Sequence, residues 1–309
     1  MYNRKVHIDI KRVVPRFSTT DFEMLDTLRR LQRHPNIVHV IDIEWDDTYI
    51  YFALEPCTYN LYELMQLCSN NMNQDEFAMQ IVRKLFQRDG CPSPVLVDLI
   101  RLARYQILVV SSMTMDPTIL TIYPILVVIL GIVFDETRRR TWGRWSNCNR
   151  VLAARDVVHG LEHLHITGLT IRDLKPQSVL INFGEPPSAK ICDQGIIDGL
   201  AAHSKSPGWH SPDLLIGRSQ SVFGSSWKQV KAVDSFNLGC LIFYFITKGG
   251  HPFGPDESRD ANIENNYHDL TLVEHNYEAA DLISQLLQPQ PEMRQRDSFI
   301  LSSDFLLIS

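Results

Sequence analysis

The chain has 309 residues, 44% of them hydrophobic and 21% charged, with a formal net charge of −6. That is enough apolar material for a globular core, which excludes a low-complexity chain, and the acidic balance leaves no chain-wide electrostatic footprint for nucleic acid. The six cysteines, at 57, 68, 91, 148, 192 and 240, show no C-x-x-C or paired spacing, which predicts reduced cytosolic thiols rather than a disulfide framework or zinc site.

The amino terminus carries no apolar h-region, so no secretory signal is expected. Over residues 6–14, Val6, Ile8 and Ile10 alternate with His7, Asp9 and Lys11, the period of a half-buried strand. Thr19-Thr20-Asp21-Phe22-Glu23 then opens an amphipathic run whose apolar members Met24, Leu28 and Leu31 recur at helical spacing. Thr20 and Glu23 also fit a capping box, in which Glu23 serves its own helix. Two further strands are predicted over 37–43 and 49–54, joined by the polar stretch 44–48 and followed by Glu55-Pro56-Cys57.

Pro94–Ala103 has a helical pattern, and residues 105–134 are strongly apolar, closing on the charged run Asp135-Glu136-Thr137-Arg138-Arg139-Arg140. Ala154–His165 is helical again. If Ala103 is joined directly to Arg155, then Leu96, Ile100, Ala103, Val158 and Leu161 fall on one stripe. Residues 104–154 therefore read as an insertion interrupting one helix. The uncharged part, 119–134, is close to the ~17-residue lower limit for a membrane span. An unspliced intron and a lineage-specific insertion are the other readings.

Beyond it lies the stretch around which the chain is organised, Ile171-Arg172-Asp173-Leu174-Lys175-Pro176-Gln177-Ser178, followed by Asp193-Gln194-Gly195. Strand-like runs at 179–182 and 189–192 flank the loop between them. Next come Pro207-Gly208-Trp209-His210-Ser211-Pro212-Asp213, an apolar helix from Ala232 through Ile246 containing Asp234, and Pro291-Glu292-Met293-Arg294.

These motifs, in this order, resemble the protein kinases, whose patterns are H-R-D-x-K-P-x-N, D-F-G and G-W-x-A-P-E. Within that superfamily, His34-Pro35-Asn36-Ile37-Val38, the Leu54–Cys57 segment, Asp234–Cys240 and His251-Pro252-Phe253-Gly254 are similar to the inositol-requiring kinase/endoribonuclease, the unfolded-protein-response sensor of the endoplasmic reticulum. Cys91-Pro92-Ser93-Pro94 points to its plant-like members. The resemblance implies an α+β bilobal fold, with a partial amino lobe and hinge over 1–57 and a carboxy lobe over 58–309, interrupted at 104–154.

It implies roles as well. Asp173 would accept the proton of the attacking hydroxyl and Lys175 would steady the phosphate. Asp193 and Ser178 would hold Mg2+. Lys11 would pair with Glu23 at the ATP phosphates, and the backbone near Glu55 and Cys57 would meet the adenine edge, although an ordinary edge strand and turn fits those residues too. Asp234 would anchor the catalytic loop, and Arg294 would pair with Asp213.

Departures from the pattern matter equally. Ile171 replaces histidine, Ser178 the metal-binding asparagine, and Gln194 phenylalanine. Two strands around a glycine-rich loop need roughly twenty residues, yet ten residues precede Lys11 and none is glycine. The expectation is therefore a nucleotide-binding kinase fold with ATP-to-serine/threonine transfer implied by the resemblance but impaired, the alternatives being an inactive pseudokinase scaffold or a non-functional fragment. The expected partners are nucleotide and a second copy or a related full-length sensor kinase, on the cytoplasmic side. With no ribonuclease or luminal segment recognised, RNA cleavage by this chain alone is not expected.

Overall fold

The computed structural model describes residues 9–13, 33–46, 50–55, 57, 59–68, 147–171, 173–182, 187–192, 208–215, 227–295 and 297–307. These fall almost entirely within one compact unit. Among them, β1 (Asp9–Val13), β2 (Val40–Trp45) and β3 (Ile50–Leu54) form an antiparallel sheet with β3 in the middle. Burial along β3 alternates, Phe52 and Leu54 inward and Tyr51 and Ala53 half-buried, as the two-residue pleat requires.

The second predicted strand was expected from Ile37, but β2 begins three residues later. Ile37 and Val38 are used elsewhere. The Val38 N–H donates to the Ile191 carbonyl at 2.8 Å, and the Ile191 N–H donates to the Asn36 carbonyl at 2.8 Å. Residues 36–38 therefore extend a second sheet, made of β4 (Tyr59–Asn60), β5 (Val179–Asn182) and β6 (Ser188–Ile191), with β5 central. Helix α1 (Leu61–Cys68) follows β4 through a reciprocal cap. Asn60 Oδ1 accepts from the Glu63 N–H at 2.8 Å, and a Glu63 carboxylate oxygen accepts from the Asn60 N–H at 3.3 Å.

Helix α2 (Asn147–Ile166) packs on β6 and on helix α3 (Trp227–Thr247). Its first turns lie inside the 104–154 stretch. Arg150, buried, donates to the Ile246 carbonyl at 2.9 Å and to Phe245 at 3.4 Å, so its cation meets the negative end of α3. Every residue of α3 from Ala232 to Phe245 is buried. A helix covered on all sides carries no exposed polar stripe, and its few polar residues here, Asp234, Ser235 and Asn237, are buried with the rest. Helices α4 (Arg259–Glu264), α5 (Tyr277–Leu286), α6 (Asp297–Ile300) and α7 (Asp304–Leu307) complete an α+β fold. Among the described residues no helix is long and apolar enough to cross a membrane. The 119–134 run lies outside them.

Gly160 is what lets α2 approach the 36–38 segment. A Cβ there would stand 2.5 Å from the Asn36 carbonyl oxygen, which is backbone and cannot swing aside. Gly160→Ala is expected to lower stability by about 1–3 kcal/mol through overpacking. A denaturant midpoint unchanged from wild type would show that this contact is not tight.

Candidate active site

The loop carrying Asp173 is launched by the end of α2. Gly168 adopts φ 87°, the left-handed backbone that glycine tolerates, and the Leu169 N–H donates back to the Leu164 carbonyl at 2.9 Å, as in a Schellman ending. Leu169, Thr170, Ile171, Asp173 and Leu174 are all buried. Asp234, on α3, holds this loop from beneath: its Oδ2 accepts from the Ile171 N–H at 2.9 Å and lies 2.9 Å from His165 Nε2. The anchor uses the backbone of residue 171, so isoleucine there does not remove it.

Lys175 donates to Asp173 Oδ2, pairing the two residues expected to flank the transferred phosphate. Ser178 is wholly buried. Its hydroxyl accepts from the Lys175 N–H at 2.9 Å and donates to the Lys175 carbonyl at 2.8 Å. A hydroxyl committed to the loop backbone in both directions does not fit the role of a ligand for a hard cation, which seeks unengaged oxygens. Asp193 lies outside the described residues, but its neighbour Cys192 donates its N–H to the Ser178 carbonyl at 2.8 Å.

Glu23 also lies outside the described residues. Lys11 sits on β1 opposite Phe52 of β3, the strand that leads into Glu55 and Cys57. Glu55 is engaged at both ends. Its N–H donates to the His39 carbonyl at 3.1 Å, and its Oε1 accepts from the His39 N–H at 2.9 Å and from Lys190 at 2.6 Å. Cys57 is half-buried and takes part in no disulfide.

Asp156 accepts from the Ala189 N–H at 2.9 Å, and burial raises its pKa above the usual carboxylate value. His34 stacks on His163 with ring centroids 4.6 Å apart. Burial and the two neighbouring histidines, His163 and His159, push its pKa down.

At the far end of the site, Trp209 is buried against His251, edge to face at 4.8 Å, and the Gly208 N–H donates to Asp260 at 2.6 Å. Gly208 has φ 79°, and a side chain there would run into Arg259. Arg294 pairs with Asp213 and donates to the carbonyls of Gln288 at 2.8 Å, Ala232 at 2.8 Å and Pro289 at 3.0 Å. The structure thus brings together Asp173 with Lys175, Ile171 with Asp234, and Asp213 with Arg294. The links of Asp234 to His165 and of Glu55 to Lys190 had no signal in the sequence.

The family model for the protein kinase domain matches residues 132–306, more than half of the chain. The chain belongs to the protein kinase domain family. The chain is 34% identical over 304 residues to the serine/threonine-protein kinase/endoribonuclease IRE1a of Arabidopsis thaliana, covering 95% of this chain and 31% of that protein. It is 32% identical over 308 residues to the corresponding Oryza sativa subsp. japonica protein, IRE1, covering 96% and 27%. A third relative, also from Arabidopsis thaliana and named an inactive serine/threonine-protein kinase/endoribonuclease IRE1-like, is 28% identical over 324 residues, covering 97% of this chain and 48% of its own length. The chain thus spans under a third of the first two relatives and about half of the third. Most of the part before residue 132 is reached by the relatives rather than by the family model.

Proposed function

We propose that this chain is an adenine-nucleotide-binding kinase domain of the unfolded-protein-response sensor type, acting on the cytoplasmic side of the endoplasmic reticulum, with slow ATP-dependent phosphotransfer to serine or threonine. The observation that carries this reading is the Asp173–Lys175 pair on a buried loop anchored to Asp234. Asp173 is the acceptor for the hydroxyl proton. Lys175, already beside it, meets the negative charge of the transferred group, the electrostatic term that dominates such reactions. Lys11 and Glu23 address the phosphates, and the backbone at Glu55 and Cys57 addresses the base. Mg2+ with the nucleotide would neutralise phosphate charge, with Asp193 as its ligand from this chain.

A second reading has its own observation. Because Ser178 spends its hydroxyl on Lys175, a ligand position is lost, and loss of one stabilising group costs orders of magnitude in rate. The domain then serves as a nucleotide-holding scaffold that pairs with a second copy or with a longer sensor kinase.

Transfer of radiolabelled γ-phosphate separates the two. Wild type is expected to show weak label that Asp173→Ala abolishes. Equal label in both proteins would end the kinase reading and leave the scaffold.

A further inference from the structure

Segment 34–38 and helix α2 meet along a seam of imidazoles. His34 stacks on His163 with ring centroids 4.6 Å apart and planes 20° from parallel, and His159 lies one helical turn back on α2. There is no slack between the two elements, because a Cβ on Gly160 would stand 2.5 Å from the Asn36 carbonyl oxygen. Both rings are surrounded as neutral groups. The Asn36 N–H donates to His34 Nδ1 at 3.2 Å, which uses the one lone pair a neutral imidazole offers. His163 Nε2 is buried with no hydrogen-bond partner among the described residues, so an imidazolium there would hold a buried N–H without an acceptor. Among the described residues no carboxylate is paired with either ring.

We propose that His34 and His163 form an acid-sensitive latch between the 34–38 segment and α2, closed while both rings are neutral and released when they take up protons. The latch is independent of whether the domain binds nucleotide. A proton on His34 Nδ1 removes the acceptor of the Asn36 N–H and turns a second donor toward it, and a further proton on His163 sets two cations face to face. The charges that bear on His34 are those of His163 and His159, with Asp156 and Arg155 beyond them on α2. Arg33, next to it in the chain, is exposed. Of the other elements packed on α2, β6 offers Lys190, taken by Glu55, α3 offers Lys231 and Asp234, the latter bonded to His165, and α7 offers the exposed Asp304. Burial, with His163 and His159, holds the His34 pKa below its usual 6.5, so the unfolded chain binds the proton more readily. The stabilisation is fully present above that usual value and is lost as pH falls through the lowered one. Release reaches further than the seam. Asn36 and Val38 are the residues that bond this segment to Ala189 and Ile191 of β6, and the next residue, Cys192, is tied to the Ser178 carbonyl.

The test is thermal melting of the full chain as a function of pH, for wild type, His34→Asn and His163→Phe, with amide hydrogen exchange on the wild type. Asparagine keeps an acceptor for the Asn36 N–H that takes no proton, and phenylalanine keeps the stacked ring without a charge. Between about pH 7.5 and pH 5.5 the wild type should lose about 2–4 °C more than either variant, the worth of one hydrogen bond in a domain of this size. His251 is also buried with a lowered pKa, but its acid response is common to all three proteins and drops out of the comparison. Over the same range, protection of the 36–38 and 189–191 amides, corrected for intrinsic exchange, should be lost while that of α3 persists. A wild type whose melting temperature falls in parallel with either variant overturns the proposal, as does protection at 36–38 that acid leaves unchanged. The exchange result needs no variant, so it decides the question even where a substitution prevents folding.

Discussion

Arg294→Met is expected to destabilise the domain by about 3–5 kcal/mol, the range for breaking a buried ion pair from one side. The side chain is 1% exposed and its guanidinium serves Asp213 together with three carbonyls, two of them in the turn after α5 and one within α3. It also lies over the Phe236 ring, 5.1 Å from the centroid. Methionine fills much of the volume but supplies none of the donors. Asp213→Ala is expected to cost less than Arg294→Met, because the arginine keeps its carbonyl partners and the acid is already 24% exposed. The double variant should fall short of the sum of the singles, as coupled neighbours do. Denaturant midpoints for the four proteins test this. Strict additivity would mean that the two side chains act independently.

That pair spans 81 positions and was legible because both members sit in short motifs with a fixed order. The same holds for Asp234 and the loop before Asp173. Local periodicity located β3, β5 and β6 nearly to the residue. What was not legible depends on contacts without a motif. Lys190 and Glu55 are 135 residues apart, and nothing in either neighbourhood marks them as partners. The start of α2 at Asn147 falls within the predicted insertion because the helical stripe that defines its bounds joins Ala103 directly to Arg155. In the fold, Arg150 is buried and spends its charge on carbonyls 95 and 96 residues away. Ile37 and Val38 look like the opening of β2, yet their backbones serve β6. Ser178 was read as a ligand position from its place in the pattern. Only the direction of its hydroxyl shows that the loop itself uses it.

Asp234→Ala is expected to be about as damaging as Arg294→Met, and to act on chemistry as well as stability. Asp234 has no exposed surface, and its Oδ2 serves both the Ile171 N–H and His165 Nε2. Each buried donor left without an acceptor costs about 1–3 kcal/mol, so losing the carboxylate should cost about 3–5 kcal/mol once the cavity is included. Ile171 is two residues from Asp173, and a shift of ~1 Å in a catalytic group can lower a rate about 100-fold. Whatever Asp173-dependent label the wild type transfers should therefore vanish in Asp234→Ala even at a temperature where the variant is folded. Asp234→Asn separates the two partners of Oδ2. Its amide oxygen still accepts from Ile171, while its amino group faces His165 Nε2 and is tolerated only when that nitrogen is an acceptor. An Asn variant close to wild type in melting temperature identifies the backbone of residue 171 as the partner that matters and the ring as neutral. An Asn variant as unstable as the alanine one places a proton on Nε2. If the alanine variant melts like wild type and keeps its label, then α3 does not hold the catalytic loop, and the geometry on which Asp173 depends has another source.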